Sequence, residues 1–327
     1  MNPKIASPAR TVGPSAWSRV LAMREMGTLA ALVLMVLVIA IAVPQFRQWG
    51  NIVNITRNFS FVGIVALGMT LVILTGGIDL SVGSVWGMTA VLTAFLMSNG
   101  WLMLPAILVG LLAAAAIGLF NGLCITRLNM SPFVPTLASL SIARALALII
   151  THGRPISRFG PQQKDFYWIG GGDIAGVPNP FILFVILAIL FWIVTTRTVW
   201  GRRVYAVGGN EKAARLTGLN VRELKVSVYI ISALCAGIAG IVQASYLSSV
   251  TASLATGQEL SVIAATVIGG VNLAGGEGTI FGVVIGTIML EVLRNGLLLF
   301  GIDPYWQGVF VGAIIVVAVS LDRLRKR

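Results

Sequence analysis

The stretch NPFILFVILAILFWIVTTRTVWGRRVYAVGGNEKAARLTGLNVRELK, residues 179–225, carries both halves of a membrane reading. Residues 179–196 contain no acidic or basic side chain, and their length falls within the roughly 17–25 residues that a helix needs to cross a bilayer. The sequence then turns abruptly basic, with Arg197, Arg202, Arg203, Lys212, Arg215, Arg222 and Lys225 in one loop. A surplus of lysine and arginine marks loops that stay on the cytoplasmic side. One span and one inner loop are therefore read from a single stretch.

Outward from it, further apolar runs qualify near 27–45, 59–75, 83–98, 101–123, 132–150, 226–246, 260–271, 279–300 and 306–321. With 179–196 they predict an all-α polytopic membrane protein of about ten transmembrane helices. The eighth, 260–271, is short enough to be a broken helix. Composition agrees: 57% of the 327 residues are apolar and only 10% are charged, against about 25% charged in soluble domains. The mean hydropathy of +0.93 is the reverse of the disorder signature. The 37 glycines suit membrane helices, whose backbones approach closely at small residues.

The net charge of +12 does not point to nucleic acid. The basic residues gather in the N-terminal stretch (Lys4, Arg10, Arg19, Arg24), in the loop 197–225 and in the tail RLRKR at 323–327, with no basic stripe of interleaved aromatics. With these and Arg127 inside and Arg144 and Arg294 within spans, only Arg47, Arg57, Arg154, Arg158 and Lys164 fall outside, so both termini are expected in the cytoplasm. The domain reading is a cytoplasmic segment 1–26, a transmembrane domain 27–321 and a basic tail 322–327. The first apolar run reads as a retained span, because no convincing cleavage site follows it. Cys124 and Cys235, both in apolar runs, imply no disulfide framework.

Two hydrophilic segments remain. The outer one, 151–178, is rich in Gly, Pro and aromatics and is unlike a flexible linker; it suits a docking surface. Within the inner one, Asn210 is a good N-cap, Glu211 favours a first helical turn and Gly218 is a natural stop. KAARLTG at 212–218 spaces Ala213, Ala214 and Gly218 as a short helix does when it sits in a partner's groove. GGIDLSVGSVWG at 76–87 is echoed by GGVNLAGGEGTIFG at 269–282, a pairing of glycine-rich breaks of the kind that lines transporter paths.

Enzymatic chemistry is poorly supplied. No Gly-Lys dipeptide exists, so no Walker A loop exists, and His152 is the only histidine. No carboxylate relay runs through the spans. Asp79 and Ser81 either cap the third helix or form, with Gly76, Gly77, Gly83, Gly269, Gly270 and Asn272, a gate or ATPase-facing motif on the cytoplasmic side. Arg144, midway along the fifth span, is too costly to face lipid. It either bonds helix-end carbonyls or Glu291, or belongs to the translocation path. Glu291 and Arg294 are spaced for a mutual pair across one turn. Trp86 and Trp306 either stack on a sugar ring or belong to the interfacial aromatic belt. Small residues at every fourth position (Gly110, Ala114, Gly118, Gly122; Ser232, Ala236, Gly240; Gly282, Gly286) fit close helix packing within the chain or at a dimer seam.

The block GRRVYAVGGNEKAARLTGLNV at 201–221 resembles the coupling segment of ABC importer permeases of the ribose and related sugar family, with Lys212 where their EAA-type motif has glutamate. GGIDLSVG at 76–83, GVPNP at 176–180 and the 269–282 block are similar to that family's recurring stretches, in its order, over about residues 50–320. The resemblance implies a permease subunit in the bacterial inner membrane that passes a monosaccharide or similar small polar solute. It implies a second permease copy or homologue, an extracytoplasmic sugar-binding protein, and cytoplasmic ATP-binding subunits that hold ATP and Mg. This chain then needs no cofactor or metal and is no enzyme. Asn210, Glu211, Lys212, Ala213, Ala214, Arg215 and Gly218 become the expected ATPase-coupling residues. An ATP-independent carrier or channel is the rival reading.

Overall fold

The computed structural model describes residues 24–303, 305–310, 312, 313 and 316. Twelve α-helices follow in order within residues 24–303: α1 (Arg24–Ala42), α2 (Trp49–Leu74), α3 (Val82–Ser98), α4 (Met103–Arg127), α5 (Phe133–Thr151), α6 (Gln163–Gly171), α7 (Asn179–Arg197), α8 (Val199–Gly209), α9 (Glu211–Leu216), α10 (Val221–Leu247), α11 (Gln258–Ile268) and α12 (Ile280–Leu299). The only strands described form a two-residue hairpin, Asp173–Ile174 with Val177–Pro178. The chain is thus all-α and polytopic. Seven helices, α1, α2, α4, α5, α7, α10 and α12, are long and apolar enough to cross a membrane, whereas α3 and α11 are apolar but shorter. Most of the segments 1–26, 306–321 and 322–327 lies outside the described residues.

Helices α2 and α10 form the centre. Buried residues fill 89% of the most apolar window of α2 and 61% of that of α10, against 11% for α1. Close approach comes from glycine. A Cβ on Gly118 would sit 2.5 Å from the Tyr229 carbonyl oxygen, and one on Gly122 would sit 2.8 Å from the Val226 Cα, so α4 rides directly on the α10 backbone. Gly282 and Gly286 in turn lie against the backbone of Gly269 and Ala265. The small-residue stripes are therefore used inside the chain.

Helix α2 begins ten residues earlier than its apolar run at 59–75, because its polar first half finds partners within the protein. Asn51 and Asn295 exchange amide hydrogen bonds at 3.1 and 2.8 Å, and the Arg57 guanidinium lies 4.6 Å from the Tyr246 ring centroid. The inner loop also holds more structure than expected. Helix α8 precedes the predicted short helix, and the Thr198 hydroxyl caps it by accepting from the Gly201 amide at 3.0 Å.

Between α10 and α11, residues 248–257 turn back into the bundle. Ile156 and Val250 exchange two backbone hydrogen bonds of 2.9 Å, which ties this segment to the 151–178 region. Farther on, Arg144, midway along α5, donates to the carbonyls of Ala252 and Leu254 at 2.5 and 3.0 Å. A Cβ on Gly87 would lie 2.6 Å from the Leu254 carbonyl oxygen, so the segment runs against the start of α3. Irregular backbone is tolerated at membrane depth only when protein satisfies it, and Arg144 does so here. Helix α11 starts from this inserted point, behind Gly257 at φ +79° and without a side-chain cap.

Candidate functional site

The inner face is built around α9. Asn210 Oδ1 accepts from the Ala213 amide at 3.0 Å. At the other end Gly218, with φ +82°, receives the chain where a left-handed residue is required. The Gly218 and Leu219 amides donate to the carbonyls of Arg215 and Ala214 at 3.0 and 3.2 Å. Glu211 is fastened twice, by Arg215 at 2.6 Å and by Lys225 of α10 at 2.7 Å. Burial raises the Glu211 carboxyl, but the hydrogen bonds and positive charges of Lys225 and Arg215 outweigh it and hold the group below the usual carboxylate value.

One expected contact residue is reassigned. Ala214 is only 5% exposed and packs into its own chain, because alternate sides of so short a helix face opposite ways. The outward face carries Lys212, Ala213 and Arg215 together with Leu216, an apolar side chain 90% exposed. Leu216 was missed; its only sequence signal is an apolar residue within a basic helix.

The two glycine-rich blocks come together directly beside this helix. The Gly276 amide donates to the Leu74 carbonyl at 2.9 Å. A Cβ on Gly275 would lie 2.9 Å from the Gly76 amide nitrogen, and Gly208, at the end of α8, packs on the Leu74 carbonyl and the Gly276 amide. Tyr205 of α8 donates to the Gly278 carbonyl at 2.8 Å. Asn272 closes its own loop, accepting from the Ala274 amide at 3.0 Å. Gly76 and the Asn272 loop therefore belong to one backbone-packed junction, Gly77 faces the Tyr229 hydroxyl, and Gly269 lies against Gly282.

Asp79 and Ser81 lie deeper. Asp79 is fully buried. Its Oδ1 accepts from the Ser81 amide at 3.0 Å and from the Ser81 hydroxyl at 2.6 Å, and its Oδ2 accepts from Ser232 at 3.1 Å. The Asn121 amide donates to the Ser81 hydroxyl at 3.1 Å and Ser139 donates to Asn121 at 2.6 Å. One buried polar chain thus joins the turn before α3 to α4, α5 and α10. Gly83 lies alongside, against Ala255 and Glu259.

Arg144 and the Glu291–Arg294 pair also resolve into particular partners. Arg144 bonds loop carbonyls rather than Glu291. Arg294 donates to Ser261 and, at 3.5 Å, to Gln258; among the described residues no ion pair within 4 Å joins it to Glu291. Trp86, 1% exposed, lines an open cavity of about 270 Å³ together with Gln243, Gln258, Glu291, Arg294 and Asn295. Trp306 is exposed and stands beside that wall's Gln307. Among the described residues no cluster of His, Cys, Asp or Glu is arranged to hold a metal ion.

A bundle of apolar helices with glycine-packed breaks, a re-entrant segment and a capped, outward-facing inner helix has the organisation of a membrane permease. Residues 51–319 match the family described as branched-chain amino acid transport system / permease component, and the chain belongs to that family. It is 40% identical over 301 residues to the ribose import permease protein RbsC of Bacillus subtilis (strain 168), covering 92% of this chain and 93% of that relative. It is 37% identical over 303 residues to the ribose import permease protein RbsC of Escherichia coli (strain K12), covering 92% and 94%. It is also 35% identical over 300 residues to the D-allose transport system permease protein AlsC of Escherichia coli (strain K12), covering 91% of each. No solved structure matches the chain. The chain is accordingly a multi-pass inner-membrane protein, in agreement with the resemblance read from its motifs.

Proposed function

We propose that this chain is the transmembrane subunit of an ATP-binding-cassette importer for a monosaccharide or similar small polar solute. The observation that carries this reading is the likeness, over nine-tenths of both chains, to permeases named for ribose import and D-allose transport. In this reading the work comes from separate cytoplasmic subunits that hold ATP and Mg. An extracytoplasmic sugar-binding protein docks around 151–178, and a second permease copy or homologue completes the pore. About ten spans with both termini, 1–26 and 322–327, in the cytoplasm fit the distribution of basic residues. No covalent step falls to this chain.

The geometry supplies a lever. An ATPase pressing on Lys212, Ala213, Arg215 and Leu216 moves α9, which Asn210 and Gly218 hold as a unit. Glu211 passes the displacement to α10 through Lys225, and α8 passes it to both glycine-rich loops through Gly208 and Tyr205. Those loops begin α3 and α12, so motion at the inner face tilts helices that line the interior. Useful coupling requires that the partner bind the two arrangements with different affinity.

Purification of the membrane protein with its native partners tests this. An ATPase is expected to co-purify, and Leu216→Asp is expected to abolish that association while the protein stays inserted. A permease free of any ATPase in mild detergent, yet still moving solute, overturns the proposal in favour of an ATP-independent carrier.

A second expectation concerns acid. A carboxylate held below its ordinary value stabilises the folded arrangement above the unfolded value of about 4.3 and loses that contribution as pH falls through the folded one. Backbone exchange over 211–216, corrected for its intrinsic pH dependence, is expected to be flat from neutral pH down to that range and to rise below it. Lys225→Met should leave the onset in place but shrink the rise, because without Lys225 the folded value lies nearer the unfolded one. The effect is modest, because Arg215 is half exposed and solvent screens that pair.

A further inference from the structure

The Trp86 cavity is a built site. Trp86 Nε1, Gln243 Oε1 and Arg294 Nε are buried polar atoms with no hydrogen-bond partner in the protein, and all three residues line it. Orphaned polar atoms are costly to bury, so several in one wall point to a ligand that satisfies them. The position agrees. Helix α11, eleven residues long, starts behind an uncapped N-terminus, and its first residue, Gln258, is part of the wall. Broken helices of this kind mark solute sites in transporters.

The chemistry of the wall is selective. Glu291 and Arg294 lie one turn apart on α12 without a direct ion pair; the guanidinium is engaged by Ser261 and Gln258 and the carboxylate by Asn58. Neither charged group is left free to take the pole of a zwitterion. The remaining polar groups are carboxamides, which donate and accept alike, as hydroxyls do. Phe61, Val62 and Leu298 supply an apolar patch beside Trp86. A hydroxyl rim around a C–H face is the shape of a sugar, and 270 Å³ is just below the roughly 300–1,000 Å³ of drug-sized pockets.

We infer that this cavity, lined by residues of α2, α3, α10, α11 and α12, is a solute-binding way-station selective for a neutral polyhydroxylated molecule, with Gln243 reading its hydroxyls and Trp86 its ring face. The inference rests on the importer reading and adds to it where the solute is recognised inside the membrane subunit.

The test uses the complete transporter reconstituted in vesicles, with binding protein loaded to saturation with D-ribose or with each of its monodeoxy analogues. In Gln243→Leu, uptake of D-ribose should fall about tenfold, while at least one analogue falls by less than about threefold, because a variant that no longer bonds a hydroxyl no longer misses it. Co-purification with the ATPase verifies assembly of the variant. A uniform fall across the panel makes Gln243 structural and overturns the assignment, as does unchanged uptake. A wild-type transporter that accumulates leucine and no sugar overturns the importer reading itself, a result distinct from either of those.

Discussion

Arg144→Leu is expected to abolish transport while leaving the chain in the membrane. The guanidinium bridges the carbonyls of Ala252 and Leu254, and leucine leaves both acceptors unsatisfied inside the bundle. Each such loss costs about 1–3 kcal/mol, a large share of the roughly 5–15 kcal/mol that separates folded from unfolded domains. The segment 248–257 then no longer holds its inserted course and α11 loses its starting point. Limited proteolysis should show cleavage within 248–257 in the variant only, and the thermal midpoint in detergent should fall. Arg144→Lys should recover part of both, since a lysine offers donors without the planar fork. Wild-type uptake together with unaltered protease resistance in Arg144→Leu would remove Arg144 from this role.

Gly208→Val should be nearly as severe by a different route. Its side chain would occupy the space of the Leu74 carbonyl and the Gly276 amide, which hydrogen-bond to one another at 2.9 Å. Both obstacles are backbone, so relief requires displacing the loops at 75–77 and 274–276 together, an overpacking cost of about 1–3 kcal/mol. The neighbouring Gly209 has nothing within 4 Å of where a Cβ would stand, and Gly209→Ala should change stability by less than about 0.5 kcal/mol. Comparison of uptake and ATPase association in the two variants checks the argument; equal behaviour of both would show that the junction does not transmit motion.

The contrast between those two glycines shows where sequence reading stops. The caps of α9 are legible, because Asn210 and Gly218 act on amides within a few residues of themselves. The apolar runs are legible because bilayer thickness sets their length. Arg144 is legible as a residue that must be paired, but its partners are 108 and 110 residues away, and nothing local distinguishes loop carbonyls from Glu291. The early start of α2 stays hidden for the same reason, since Asn51 and Arg57 look like loop residues until Asn295 and Tyr246 are beside them. Asn121, Ser139 and Ser232 are single polar residues in apolar helices, and only the folded bundle gathers them around Asp79. The inward turn of Ala214 depends on which side of α9 meets the bundle, which residue spacing does not encode. The cavity is partly legible: Trp86 stands out, whereas Gln243, Gln258 and Asn295 gain meaning only by convergence.

The reciprocal amide pair of Asn51 and Asn295 has a consequence for biogenesis. The two residues are 244 positions apart, so at roughly 5–20 residues per second of synthesis the first amide leaves the ribosome some 10–50 s before its mate exists. Throughout that interval Asn51 lacks its mate on α12, and its side-chain amide must be sheltered by the insertion machinery or by water. Completion of the bundle is therefore a late, C-terminally triggered event, and a ribosome that stalls before residue 295 releases a product with an unmated helix at its heart.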